Sequence, residues 1–200
     1  NEKHNIPYNK NKIKSEMGYE STDKLILFFG LIRSYKGLDN LLYAFNDVLL
    51  NDSSIKLIIA GEAYEDLDRY KKIINNHNMH NNVIWINKFL SNEFIEKLMV
   101  TSDLLILPYN TASQSGVLSQ AWQYNLPSIV TNVGGLPECV DEGKSGYIVE
   151  PNDANQLSVR IKHFFNSNDL VEMSEYIKLN KKKFSWDYHI EGILELANES

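Results

Sequence analysis

Two cations stand three residues apart, bounded by glycines, in Gly30-Leu31-Ile32-Arg33-Ser34-Tyr35-Lys36-Gly37. Arginine offers a planar fork to phosphate oxygens and lysine a compact charge; where such a loop runs into a helix, the helix N-terminus adds oriented amides. The run suits a diphosphate. From spacing alone, the first reading of Arg33 and Lys36 is as solvated charges or as partners of Asp39 and Asp47. A second stretch, Thr111-Ala112-Ser113-Gln114-Ser115-Gly116-Val117-Leu118-Ser119-Gln120-Ala121, puts small polar residues at the start of a helix. Its first amides are unpaired and suit a negatively charged or hydroxyl-rich ligand, although a plain serine-capped helix accounts for the pattern as well. The third stretch, Thr131 to Asp153, carries Gly134 and Gly135, which let backbone approach another group with no Cβ in the way. Pro137 can open a short helix there, with Glu138 in its first turn and Gly143 stopping it in a left-handed conformation.

These stretches must be held by regular elements, and the apolar pattern supplies them. Residues 24–29, 55–60, 83–86, 104–107, 128–130 and 147–149 are short apolar runs, as expected of parallel strands covered on both faces. Between the first two, Leu38, Leu41, Leu42, Phe45, Val48 and Leu49 lie along one face of a helix. Further helices are expected over 66–77, from a Ser91 cap through Ser102, over 116–124, after an Asp153/Gln156 capping box, and over 170–184 and 186–198. Six strands alternating with helices through short connections give an α/β fold, a doubly wound, Rossmann-like parallel sheet. Ligands of such sheets sit beyond the carboxyl ends of the strands, where all three stretches lie.

The chain has 200 residues, 43% hydrophobic, a net charge of −6 and a pI near 5.4, so nothing global suggests nucleic acid or an anionic membrane as a partner. The single cysteine, Cys139, excludes an internal disulfide and any multi-cysteine metal site, and fits a reducing cytosol. No apolar run reaches the length of a membrane span. His77 and His80 lie in an Asn-rich tract without a third ligand nearby and read as a solvated loop; no metal site is expected. His163 and His189 read as surface or packing residues, and Lys181-Lys182-Lys183 as a solvated helix end. Residues 1–23, polar and without apolar periodicity, read as a linker or arm, and 24–200 as the domain.

The Gly-Gly-Leu-Pro-Glu, Asp-Glu-Gly-Lys-Ser-Gly and Pro-Asn-Asp segments within 131–153 closely resemble the end of the nucleotide-sugar half of family 4 retaining glycosyltransferases, which have the two-domain GT-B architecture. The 29–37 run resembles that family's Phe-Gly-x-Ile-Arg-x-Tyr-Lys-Gly variant, in which Arg and Lys hold the donor diphosphate. Many members place an arginine directly after the glycine, where this chain has Leu31. The 113–120 segment corresponds to the family's Glu-x7-Glu region, in which the first Glu meets the donor sugar and the second the ribose hydroxyls. The nearest matches here are Ser113 and Gln120, with six residues between them rather than seven; Gln120 can still hydrogen-bond a ribose, whereas Ser113 supplies no carboxylate.

The resemblance implies one half of a GT-B fold, its acceptor-binding half lying upstream of Asn1, and full activity is expected to need that half. It implies transfer of a hexose or related sugar from a nucleoside diphosphate, UDP among the candidates, to a hydroxyl acceptor with retention. The setting would be cytoplasmic polysaccharide or glycolipid synthesis, with peripheral contact at the inner face of the membrane open to the full-length protein. Arg33 and Lys36 would stabilise the leaving diphosphate, while Gly30, Ser113, Ser115, Gly116, Val117, Gln120 and Glu138 would bind the donor. Neither metal nor other cofactor is implied. Two alternatives remain at this level: a sugar-nucleotide epimerase of the same shape, and a non-catalytic receiver-like α/β module. The first wants carboxylates and histidines in the cleft; the second wants acidic residues after the first strand, where this chain has Phe29-Gly30 and two cations.

Overall fold

A computed structural model describes residues 9–181. All six expected strands are present: β1 Lys24–Phe29, β2 Ile55–Ala60, β3 Val83–Ile86, β4 Leu104–Leu107, β5 Ser128–Thr131 and β6 Gly146–Val149. They form one parallel sheet in the order β3-β2-β1-β4-β5-β6. The chain builds outward from β1 through β2 to β3, then returns to β4 on the other side of β1 and builds outward again. The reversal lies between β1 and β4, which pair through Ile26 with Leu104 and Leu27 with Leu105. Connections leaving neighbouring strands there diverge to opposite faces and open a crevice at the strand ends, the usual ligand position of this architecture.

The helices are α1 Lys10–Glu16, α2 Leu38–Leu49, α3 Asp68–Asn76, α4 Asn92–Thr101, α5 Gly116–Gln123, α6 Ala154–Asn166 and α7 Asp169–Leu179. Strand residues alternate between two cores. Ile26 and Phe28 pack with Leu41, Phe45, Ile161 and Phe164 of α2 and α6, while Leu25 and Leu27 pack with Leu98, Leu118, Trp122 and Ile177 of α4, α5 and α7. Burial on both faces explains why these strands read as unbroken apolar runs. Asp47 of α2 is tied to α6 by Lys162 at 2.6 Å and by the Ser158 hydroxyl at 2.7 Å, so it is not a partner of the loop cations.

Several local expectations change. The 1–23 arm contains α1, capped by the Asn9 side chain, which accepts from the Lys12 amide. Ile13 is its only aliphatic residue, so periodicity could not reveal it; it is anchored by charge instead. Lys10 and Lys14 pair with Asp103 at 2.7 and 3.4 Å, and Lys14, 3% exposed, donates to the Asp23 carbonyl at 2.6 Å. The helix opened by Pro137 is a single 3-10 turn, Pro137–Cys139, closed by extended Val140. Gly143 is left-handed as expected, but it turns the chain into β6, its amide donating to the Gly146 carbonyl at 2.8 Å. Only half of the capping box forms. The Gln156 amide donates to Asp153 Oδ1, while the Gln156 side chain accepts from the Glu150 amide. α3 starts two residues later than expected because Asp66 Oδ1 accepts the Asp68 amide. α7 ends at Leu179; the 186–198 helix lies outside the described residues.

The Ser91 cap is realised, its hydroxyl accepting the Phe94 amide at 3.3 Å. Ser91→Ala should lower stability by about 1 kcal/mol, a fall in Tm of about 2–4 °C in a chain of this size, readable by calorimetry. Among the described residues no helix is long and apolar enough to cross a membrane.

Candidate anion and donor site at the β1–β4 crevice

The loops leaving β1 and β4 face each other across the reversal point and are locked together by backbone. The Asn110 amide donates to the Tyr35 carbonyl at 2.7 Å. Gly37 has φ +65°, and a Cβ there would stand 1.9 Å from the Pro108 carbonyl oxygen, so a glycine is needed for the close approach. The intervening residues Ser34–Lys36 form a 3-10 turn that carries Lys36 inward over the end of β4. Gly30 clears its path: a Cβ at that position would lie 2.7 Å from Lys36 Nζ.

Lys36 Nζ lies 5.0 Å from the centroid of the Tyr109 ring. The residue is 7% exposed, and among the described residues its ammonium has neither a carboxylate within 4.0 Å nor a hydrogen bond. Burial, with a smaller push from the Arg33 charge, pulls its pKa down to about 8. Arg33 itself is exposed, its guanidinium 5.6 Å from the Tyr64 ring centroid. The neighbouring Ser34 amide donates to Glu65 Oε2 at 2.6 Å.

A cavity of about 500 Å³ opens above Lys36, bounded by Tyr35, Tyr109 and the 111–117 segment. No carboxylate is among its lining residues. Ser115 caps α5 without using its side chain, so the amides of the first turn face an uncapped end. Tyr109 is 3% exposed; its hydroxyl stands beside Ser115 but makes no hydrogen bond, and burial pushes its pKa up to about 12. The paired glycines of 134–135 do their work behind this wall. A Cβ on Gly134 would lie 1.7 Å from the Ala112 carbonyl oxygen, and the Gly135 amide donates to the Ser113 carbonyl at 2.8 Å. The group that the glycines allow to come close is therefore the cavity-lining segment itself.

Of the residues singled out by sequence, Lys36, Ser113, Ser115, Gly116 and Val117 line the cavity, and Gly30 sits beneath Lys36. Arg33 is exposed and is not among the lining residues. Gln120 is exposed on α5 and Glu138 on the 137–139 turn, and neither lines the cavity. His77 packs edge-on to Tyr43, His163 packs edge-on to Tyr147, and His189 lies outside the described residues. Lys181 donates to the Gln123 carbonyl at 2.8 Å. Among the described residues no three potential metal ligands gather. Tyr35 and Tyr109 are the wall residues that sequence reading passed over. Tyr109 carried a usable signal, since it directly follows Pro108 at the carboxyl end of a central strand.

Comparison with known proteins places the chain in a family and matches its fold to solved structures. The family description "Glycosyl transferases group 1" matches residues 9–184. An uncharacterized glycosyltransferase of Methanocaldococcus jannaschii is 28% identical over 191 residues, covering 94% of this chain and 52% of that protein. The chain thus spans about half the length of that relative. A crystal structure of the C-terminal domain of a group 1 family protein from Francisella tularensis superposes with a TM-score of 0.79 at 19% identity, covering 89% of this chain and 94% of that one. HepE of Anabaena, solved in complex with UDP, gives a TM-score of 0.81 at 19% identity over 98% of this chain and 54% of that one.

Proposed function

The chain belongs to the group 1 glycosyl transferases, and from that premise we propose that it forms the donor-binding half of a retaining enzyme that moves a sugar from a nucleoside diphosphate to a hydroxyl acceptor. One observation carries the reading: Lys36, buried and without an anionic partner, forms a wall of a cavity closed by the uncapped N-terminus of α5. An anion bound beside such an ammonium would offset much of its burial cost. A diphosphate supplies the matching charge, and its departure from the sugar is the step these groups assist. Lys36 and the amides at Ser115 to Val117 are fixed donors aimed at charge that grows on the leaving oxygen, with Arg33 a second cation on the same turn.

No carboxylate lining the cavity is placed to attack the sugar. The reading is therefore retention without a protein nucleophile, with the acceptor hydroxyl entering on the face the diphosphate leaves. Positive charge comes from Lys36, Arg33 and helix amides, so the proposal includes no metal. The UDP bound to Anabaena HepE supports UDP as the first nucleotide to try. The acceptor, a glycan or lipid-linked sugar at the cytoplasmic face of a membrane, follows from the family resemblance and would be held by a second half like that of the longer relatives.

Calorimetric titration of UDP, GDP and ADP into the purified chain tests this directly. One of the three is expected to bind with a clear preference over the others, fixing the base. Absence of binding by all three at millimolar concentration would sink the donor-half reading.

A further inference from the structure

Lys36 poses a physical problem before any ligand arrives. A buried ammonium without a counter-charge gives up its proton or moves to water unless something nearby supplies negative potential. The elements around it offer little. Its own turn contributes Arg33, which repels it. The end of β1 contributes uncharged Gly30, and the first turn of α5 contributes Ser115, Gly116 and Val117 beside the positive end of a helix. Asp39, at the start of α2, forms no ion pair with it. The face of Tyr109 lies 5.0 Å from Nζ.

Tyr109 is held firmly in that position. Its carbonyl accepts the Thr131 hydroxyl at 2.6 Å, and its ring meets Tyr35 edge-on with centroids 6.2 Å apart. Its own hydroxyl is buried beside Ser115 without a well-formed hydrogen bond, so what the residue offers Lys36 is its ring. The ring is the part of the residue that the fold uses.

We propose that Tyr109 is a positioning residue for Lys36, its ring face keeping the ammonium charged and aimed into the cavity before an anion binds. This rests on the reading of the cavity as an anion site, but not on which nucleotide fills it. Tyr109→Phe keeps the ring and should keep the behaviour; Tyr109→Leu removes it.

The test labels the lysine ε-carbons with 13C and follows the Lys36 ε-methylene signal, assigned by its loss in Lys36→Met, across a pH titration by NMR. The wild-type midpoint is expected near 8. It should stay there in Tyr109→Phe and fall by about half to one and a half units in Tyr109→Leu, the range expected from loss of one cation–π contact. UDP affinity should follow: Tyr109→Leu should bind about fivefold more weakly than wild type at a pH near 8, the gap closing about two units lower as Lys36 becomes fully charged in both. An unchanged midpoint in Tyr109→Leu, or a Tyr109→Phe variant as impaired as Tyr109→Leu, overturns the proposal. If wild type fails to bind UDP, the donor reading suffers while the NMR midpoints still decide this one. Should Tyr109→Leu fail to fold, the wild-type spectrum decides: ring current should move the Lys36 ε-protons upfield of the exposed lysines, and coincidence with them refutes the contact.

Discussion

Lys36→Met should weaken UDP binding by about ten- to a hundredfold, the loss of one charge-assisted contact to a phosphate, and should at the same time raise the Tm of the free protein. The two effects have one cause. The ammonium is 7% exposed and lacks an anionic partner, so the folded chain bears its desolvation until a ligand arrives, whereas the methionine thioether fills the same space at no such cost. The pH dependence follows from the direction of the shift. The folded pKa is near 8, below the ordinary 10.5, so the native state releases this proton first as pH rises. Between those values the unfolded chain binds more protons, and stability contributed by this residue rises with pH. The Tm advantage of methionine should therefore be full below a pH of about 8 and shrink through about 9.5, while wild-type UDP affinity declines over the same window. Calorimetric scans and titrations of both proteins at the two pH values check this. A variant that melts lower than wild type and binds UDP undiminished would show that Lys36 is an ordinary packing residue.

Gly134→Ala should cost more stability than any other substitution considered for this site and should abolish nucleotide binding with it. Gly134 has φ +52°, a region that costs an L-residue about 1–2 kcal/mol, and the added Cβ would lie 1.7 Å from the Ala112 carbonyl oxygen. Backbone cannot rotate away as a side chain can, so the 111–113 segment must move outward. That movement opens the wall formed by Ala112, Ser113 and Gln114, and breaks the Gly135–Ser113 hydrogen bond. A total loss of about 3 kcal/mol is expected, lowering Tm by about 6–12 °C. Gly116→Ala is the control for stability: its Cβ meets nothing within 4 Å and its backbone is ordinary helix, so Tm should hold or rise slightly. Equal Tm values for Gly134→Ala and Gly116→Ala would rule out the buttressing role.

The site was legible in part. The 30–37 run and the 111–121 segment declared themselves because glycines, cations and small polar residues cluster there between two apolar patterns. Which of the two cations is buried was not legible. Arg33 and Lys36 are three residues apart in one short turn, and their difference arises from Gly30 and Tyr109, which come to Lys36 from separate elements. Gln120 and Glu138, singled out with them, remain on the surface of their own elements. The helix α1 was hidden for a related reason, since it is secured by ion pairs to Asp103, far along the chain, rather than by an apolar stripe.

The sequence by itself determined the six strands, most of the helices and the parallel sheet, because a strand covered on both faces must be apolar throughout and a covering helix must repeat its apolar residues each turn. It also determined where backbone would have to come close, through glycines that no other residue could replace. Tertiary structure alone decided what those glycines approach, that the reversal between β1 and β4 brings two distant loops together, and that one lysine is left buried over an aromatic face. Those outcomes depend on the order of strands and on contacts between residues about seventy positions apart, and local patterns of propensity and periodicity carry no information at that range.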